Sequence, residues 1–196
     1  MAAETTKHVT DVRTLRAIVH PLRIRLLTLL RLDGPATATE LARRTGESSG
    51  ATSYHLRQLE RFGYVEDDGP QSGRERRWRA TSRSTSWDAG DFAADSEARA
   101  VSDALERRQV QRAVDQFERW MARRDAMDPA WLHAATLGDA ALRLTPSQTE
   151  ALNEELYAVL RRFRTDAPPA KVGETAELVA AHLQVFPFDL LEDIER

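Results

Sequence analysis

The sequence contains no cysteine. Disulfides, thiolate metal centres and cysteine nucleophiles are therefore excluded. Lysine is almost missing too: Lys7 and Lys171 are the only two, so arginine carries nearly all the positive charge. No apolar run approaches the roughly 18 residues that a bilayer-crossing helix needs. The opening Met-Ala-Ala-Glu-Thr-Thr-Lys-His has no basic-then-apolar signal pattern. No Gly-rich phosphate loop, internal repeat or low-complexity tract is apparent. These absences lead to the expectation of a cytoplasmic protein, without membrane contact and without a cofactor.

What is present is an ordinary globular balance. Of the 196 residues, 41 % are hydrophobic and 30 % charged, enough to bury a core without staples. The net charge of -3 is unevenly spread. Residues 1–90 hold 15 Lys and Arg against 11 Asp and Glu, or +4; residues 91–196 hold 13 against 20, or -7. A mildly basic half and an acidic half suit different partners.

Helical spacing of Val12, Leu15, Ile18 and Val19 follows a cap at Thr10 or Asp11. His20-Pro21 breaks that helix and starts another, with Leu22, Leu26, Leu29 and Leu30 inward and Arg23 and Arg25 outward. Asp33-Gly-Pro35 is a turn. Thr37-x-x-Glu40 is a capping box that opens a third helix burying Leu41 and Ala42. Gly46 suits the left-handed position past its end. Ser48 or Ser49 caps a fourth helix that runs to about Phe62. A strand from Tyr64, a turn-rich tip at 67–73 and a return strand at 74–81 predict a β-hairpin with a basic second limb. Residues 83–94 read as a partly docked linker between a domain at 1–82 and a region at 95–196.

A long helix is expected from about 95 to 124, with Val101, Leu105, Val110, Val114 and Phe117 in its apolar stripe. Such a stripe calls for a partner helix from a second subunit. Thr145-Pro-Ser-Gln148 caps another helix to about Arg164. The alternation of Ala140–Leu144 and of His182–Phe188 favours strands. The fold class expected is thus mainly α with small β: an N-terminal helix-turn-helix with a hairpin, a long dimerisation helix and a small C-terminal α/β region.

The fourth helix has an unusual surface. Ser49, Gly50, Ser53, Tyr54, Arg57 and Arg61 share one face, while Thr52, Leu56 and Leu59 lie opposite. Small residues permit close approach, hydroxyls bond phosphates or base edges, and arginine pairs with guanine in the major groove. The expected DNA-binding set is Ser48, Ser49, Gly50, Ser53, Tyr54, His55 and Arg57, with Arg74, Arg76 and Arg77 of the hairpin.

In these segments the chain resembles the ArsR-type winged helix-turn-helix transcriptional regulators. The resemblance rests on His20-Pro-Leu-Arg-Ile-Arg-Leu-Leu-Thr-Leu-Leu30, Ala38-Thr-Glu-Leu-Ala42, Ala51-Thr-Ser-Tyr-His-Leu-Arg-Gln-Leu59 and Gly63-Tyr-Val-Glu66. It covers residues 10–82. It implies a dimeric, mostly repressing, bacterial DNA-binding protein, with 48–58 as recognition helix and 64–80 as wing. Many members of that family sense metals through cysteines or through His and Asp pairs. This chain has no Cys, and its five histidines show no ligand spacing. No metal site is expected.

The leading function is therefore a sequence-specific regulator of double-stranded DNA. It would act as a homodimer on a roughly palindromic operator, modulated by a non-metal small molecule. Trp120, Trp131, His133, Phe163 and Phe186 form the candidate ligand pocket. The alternative is a winged-helix scaffold for protein interaction without specific DNA binding. Gly46-Glu-Ser-Ser-Gly50 matches the spacing of a Gly-x-Ser-x-Gly nucleophile elbow, but that elbow requires a preceding strand, and here a capped helix precedes it. No enzyme is expected.

Overall fold

The computed structural model describes residues 6–69, 75–170 and 173–189. They fall into two compact units, 1–112 and 113–196. The first holds the core.

It starts with a short strand, β1 (Thr6–His8). Next comes α1 (Val12–Ala17), capped by the Asp11 carboxylate, which accepts from the Thr14 N–H at 2.9 Å. That contact holds the Asp11 carboxyl below its usual pKa. His20 caps α2 (Pro21–Asp33) through its Nδ1, and Pro21 occupies the first turn, where its missing N–H costs nothing. Leu22, Leu26, Leu27 and Leu30 are its buried positions. Leu27 replaces the expected Leu29, which is half-buried.

After β2 (Ala36–Thr37), α3 (Ala38–Thr45) opens with the complete capping box. The Thr37 hydroxyl accepts from the Glu40 N–H at 3.2 Å, and Glu40 accepts from the Thr37 N–H at 2.7 Å. Gly46 ends α3 with a φ of 74°, a left-handed conformation that only glycine adopts without strain. Ser48 then caps α4 (Ser49–Arg61), accepting from the Ala51 N–H at 3.2 Å.

The hairpin is β3 (Val65–Asp67) with β4 (Arg77–Ala80), antiparallel, Glu66 opposite Arg79 and Asp67 opposite Trp78. β4 also pairs with β2, so the sheet order is β2-β4-β3. The central strand is thus shielded on both edges, and Trp78 enters the core.

The expected linker contributes structure. β5 (Ser84–Ser86) pairs in parallel with β1. A 3-10 turn at Ala89–Phe92 inserts Phe92 into the core, and the Trp87 indole N–H donates to Ser102 Oγ at 3.1 Å. The long helix α5 (Ser96–Met121) follows, its first half burying Ala98, Ser102 and Leu105.

The core of this unit is one contiguous cluster, from Leu15, Leu26, Leu41, Leu56 and Leu59 to Tyr64, Val65 and Leu105. Each fully buried leucine there contributes roughly 1.5–3 kcal/mol. Tyr64 is fully buried with its hydroxyl donating to the Thr14 carbonyl at 3.0 Å, and burial raises its pKa.

In the second unit, α6 (Pro129–Ala134) is capped by Asp128, and α7 (Pro146–Thr165) carries the expected Thr145–Gln148 capping box. The strands expected at Ala140–Leu144 and at His182–Phe188 are absent. Alternation alone does not make a strand, because the ladder needs a neighbour. Residues 140–144 are all exposed, and of 182–188 only Leu183 is half-buried. Among the described residues the C-terminal α/β region is helical, without a sheet.

Candidate nucleic-acid interface

Two helices and a tight turn build the site. α3, the turn Gly46-Glu47-Ser48 and α4 form a helix-turn-helix whose inner faces meet over Leu41, Leu56 and Leu59. The turn works because Gly46 tolerates its left-handed backbone and the Ser48 hydroxyl satisfies one of the first amides of α4, that of Ala51.

The outer face of α4 carries Ser49, Gly50, Tyr54, Arg57 and Arg61, all exposed, and Ser53, half-buried. Tyr54 is 58 % exposed, high for a large aromatic side chain. A Cβ added at Gly50 would meet nothing within 4 Å. Glycine here is thus not required by packing within the chain, although in a helix it costs about 0.5–1 kcal/mol relative to alanine.

His55 is turned sideways. Its ring lies 4.3 Å from that of His20 and 5.1 Å from that of Tyr54. Its Nδ1 is buried without a hydrogen-bond partner among the described residues. Burial lowers its pKa, and the neighbouring His20 and Arg23 lower it further, against an opposing contribution from Glu47. His55 therefore packs α4 against the start of α2. Sequence reasoning passed over Arg23 at this junction. Placed outward by its position on α2, it is half-buried, and its Nε has no hydrogen-bond partner among the described residues. Only the i, i+3 relation of His20 and Arg23 could have signalled it.

The wing is less basic than its sequence. Arg76 pairs with Glu60 of α4 at 2.6 Å and with Asp67 of β3 at 2.7 Å, and its guanidinium lies 4.1 Å over the Trp78 ring. Arg77 donates to the Pro35 carbonyl at 2.5 Å and lies 3.7 Å from Glu40. Arg79 pairs with Glu66 at 2.9 Å and with Asp68 at 3.6 Å. Arg74 lies outside the described residues. By strand alternation Arg76 and Trp78 share one face, and Arg77 and Arg79 take the other. The carboxylates that meet them were not foreseen, because they come from α3, α4 and β3.

The other predicted residues are dispersed. Of the α5 stripe, Leu105 is buried in the unit's own core and Val101 packs against it. Val110, Val114 and Phe117 remain 44 %, 47 % and 37 % exposed. Trp120 and Trp131 are half-buried, with Trp120 5.7 Å from Phe117 ring to ring. His133 is exposed, as are Phe163 and Phe186 at 51 % and 66 %. Among the described residues no group of three His, Asp or Glu is placed to hold a metal ion, and no helix is long and apolar enough to cross a membrane.

Fold and site together define a winged helix-turn-helix, the architecture of DNA-binding transcription regulators. Residues 18–66 match the family model described as a helix-turn-helix domain, in agreement with the ArsR-type resemblance of residues 10–82. Comparison with solved structures found HlyU from Vibrio cholerae, with 26 % identity over 50 % of this chain and 86 % of that one, at a TM-score of 0.33. A homodimeric winged helix-turn-helix DNA-binding domain, Mb0332 from Mycobacterium bovis, shows 21 % identity over 48 % of this chain and 79 % of that one, at 0.33. ZitR from Lactococcus lactis shows 14 % identity over 74 % and 83 %, at 0.35. No curated protein matched.

Proposed function

We propose that this DNA-binding regulator is a sequence-specific repressor that acts as a homodimer on double-stranded DNA. One observation carries the reading: the outer face of α4 is small, hydroxylated, aromatic and cationic, with a glycine that nothing in the chain requires. Such a face suits the major groove, where Arg57 reads a base edge and Ser49, Ser53 and Tyr54 meet phosphates or base edges. The first amides of α4 add a phosphate site. The wing adds backbone contacts once phosphates replace the carboxylates that hold Arg76 and Arg77.

The dimer is inferred from α5, where Val110, Val114 and Phe117 follow at steps of four and three and remain exposed in the single chain. A second copy of α5 would cover them. Two recognition helices related by a two-fold axis read half-sites about one helical turn apart, so the operator is roughly palindromic. A non-metal ligand modulates the dimer by binding its DNA-competent and incompetent forms unequally.

The test is a gel shift of the full chain on its own promoter region, across a salt series with competitor DNA. Salt-sensitive binding that survives competitor is expected. Loss of all binding to competitor, followed by failure of a genome-wide site selection, would leave the scaffold reading in its place.

A further inference from the structure

A cavity of about 400 Å³ opens in the first unit between α2, the end of α3 and the middle of α5. It shares no residue with the outer face of α4 or with the wing. Its floor is apolar, formed by Ile24 and Leu29, both half-buried. Its rim carries four guanidinium groups, from Arg25, Arg44, Arg108 and Arg112.

Three of these are held in place. Arg25 donates to the Thr45 carbonyl at 3.0 Å, Arg108 donates to the Val19 carbonyl, and Arg44 pairs with Asp33 at 2.6 Å. Arg112 is exposed and makes no hydrogen bond or ion pair among the described residues. One carboxylate thus stands against four cations. Like charges gathered this way repel one another, and the contacts that brace Arg25, Arg44 and Arg108 to the fold leave Arg112 aside.

A cationic rim over an apolar floor is the complement of a molecule with an anionic head and a hydrocarbon body. The phosphate backbone of DNA is a poorer match, since it has no use for the floor. We propose that this cavity binds an amphipathic organic monocarboxylate, with Arg112 and Arg108 on the carboxylate and Ile24 and Leu29 against its body. Its walls come from α5 and from α3, the first helix of the helix-turn-helix. Occupancy therefore alters operator affinity, a consequence that rests on the DNA-binding reading above.

The experiment is calorimetric titration of the full chain with octanoate. Acetate supplies the head without the body, octan-1-ol the body without the charge, and inorganic phosphate the charge alone. Saturable octanoate binding is expected, with each control weaker by roughly tenfold or more. Arg112→Glu should weaken octanoate by about tenfold or more, and Arg112→Ala by less, with unchanged circular dichroism and sedimentation. No saturable binding, phosphate binding as tightly as octanoate, or indifference to Arg112→Glu overturns the site. A changed sedimentation coefficient in Arg112→Glu overturns it in favour of an interface with a second copy. Saturating octanoate should then shift operator affinity in the gel assay, and an unmoved affinity removes the regulatory half alone. A chain that binds octanoate but no DNA refutes the DNA-binding reading and leaves the site standing.

Discussion

Gly50 sits in the first turn of α4 with open space where a side chain would be. Its conformation is not left-handed, so alanine fits the backbone without strain. Gly50→Ala should stabilise the fold by about 0.5–1 kcal/mol in denaturant unfolding, while weakening DNA binding. Equal or tighter binding would show that α4 does not approach DNA at this point. Arg57 is exposed two turns along and free to reach a base. Arg57→Ala should cost about 1–3 kcal/mol of operator affinity and relax choice at one base position, read by binding-site selection. His55 makes the opposite contribution, to the fold. Its pKa is lowered in the folded state, so the unfolded chain binds more protons as pH falls through the ordinary histidine value of 6.5. The stability it contributes is complete above that value and is lost as pH falls towards the folded pKa. Unfolding midpoints taken between about pH 8 and pH 5 should fall more for the natural chain than for His55→Gln. Parallel curves would remove His55 as the cause.

At the scale of elements, local signals were legible and long-range ones were not. The Thr37–Glu40 box, the Gly46 turn and the Ser48 cap each lie within a few residues, and each formed as its chemistry dictates. The face of α4 was likewise readable from helical periodicity. The pairing of β1 with β5 was not, because it joins residues 78 apart and depends on the docking of Trp87 and Phe92. The strand-like alternation at Ala140–Leu144 misled for the same reason, since period two describes a surface and not its partner. The wing shows how a charged site changes once folded. Its arginines were expected to meet DNA, yet Arg76 is gripped by Glu60 and Asp67. On the proposed reading, DNA displaces carboxylates as well as counterions. Arg76→Ala should weaken binding to all sequences and reduce the dependence of affinity on salt by about one ion. An unaltered salt slope would confine Arg76 to bracing β3 against α4.

For the whole molecule, the helix α5 has two characters. Leu105 belongs to the core of the first unit, whereas Val110, Val114 and Phe117 are exposed apolar residues that a lone chain leaves to water. Val110→Asp should convert the proposed dimer to a monomer in sedimentation, with unchanged helicity because Val110 is not part of the core. A mutant that remains dimeric would move the interface elsewhere. Half-site recognition would be lost with the dimer, since one recognition helix gives up the affinity that linking two sites provides.

Lys7 is the only lysine among the described residues, and it is occupied. Its amine donates to the Gly63 carbonyl at 3.2 Å and lies 5.1 Å over the Tyr64 ring. The proposed DNA face, by contrast, is built from guanidinium groups and hydroxyls. Amine-directed chemistry, whether a fluorescent ester or enzymatic acetylation, would therefore leave the recognition helix chemically untouched. A label attached through amines would report on DNA engagement without occupying the surface proposed to make it.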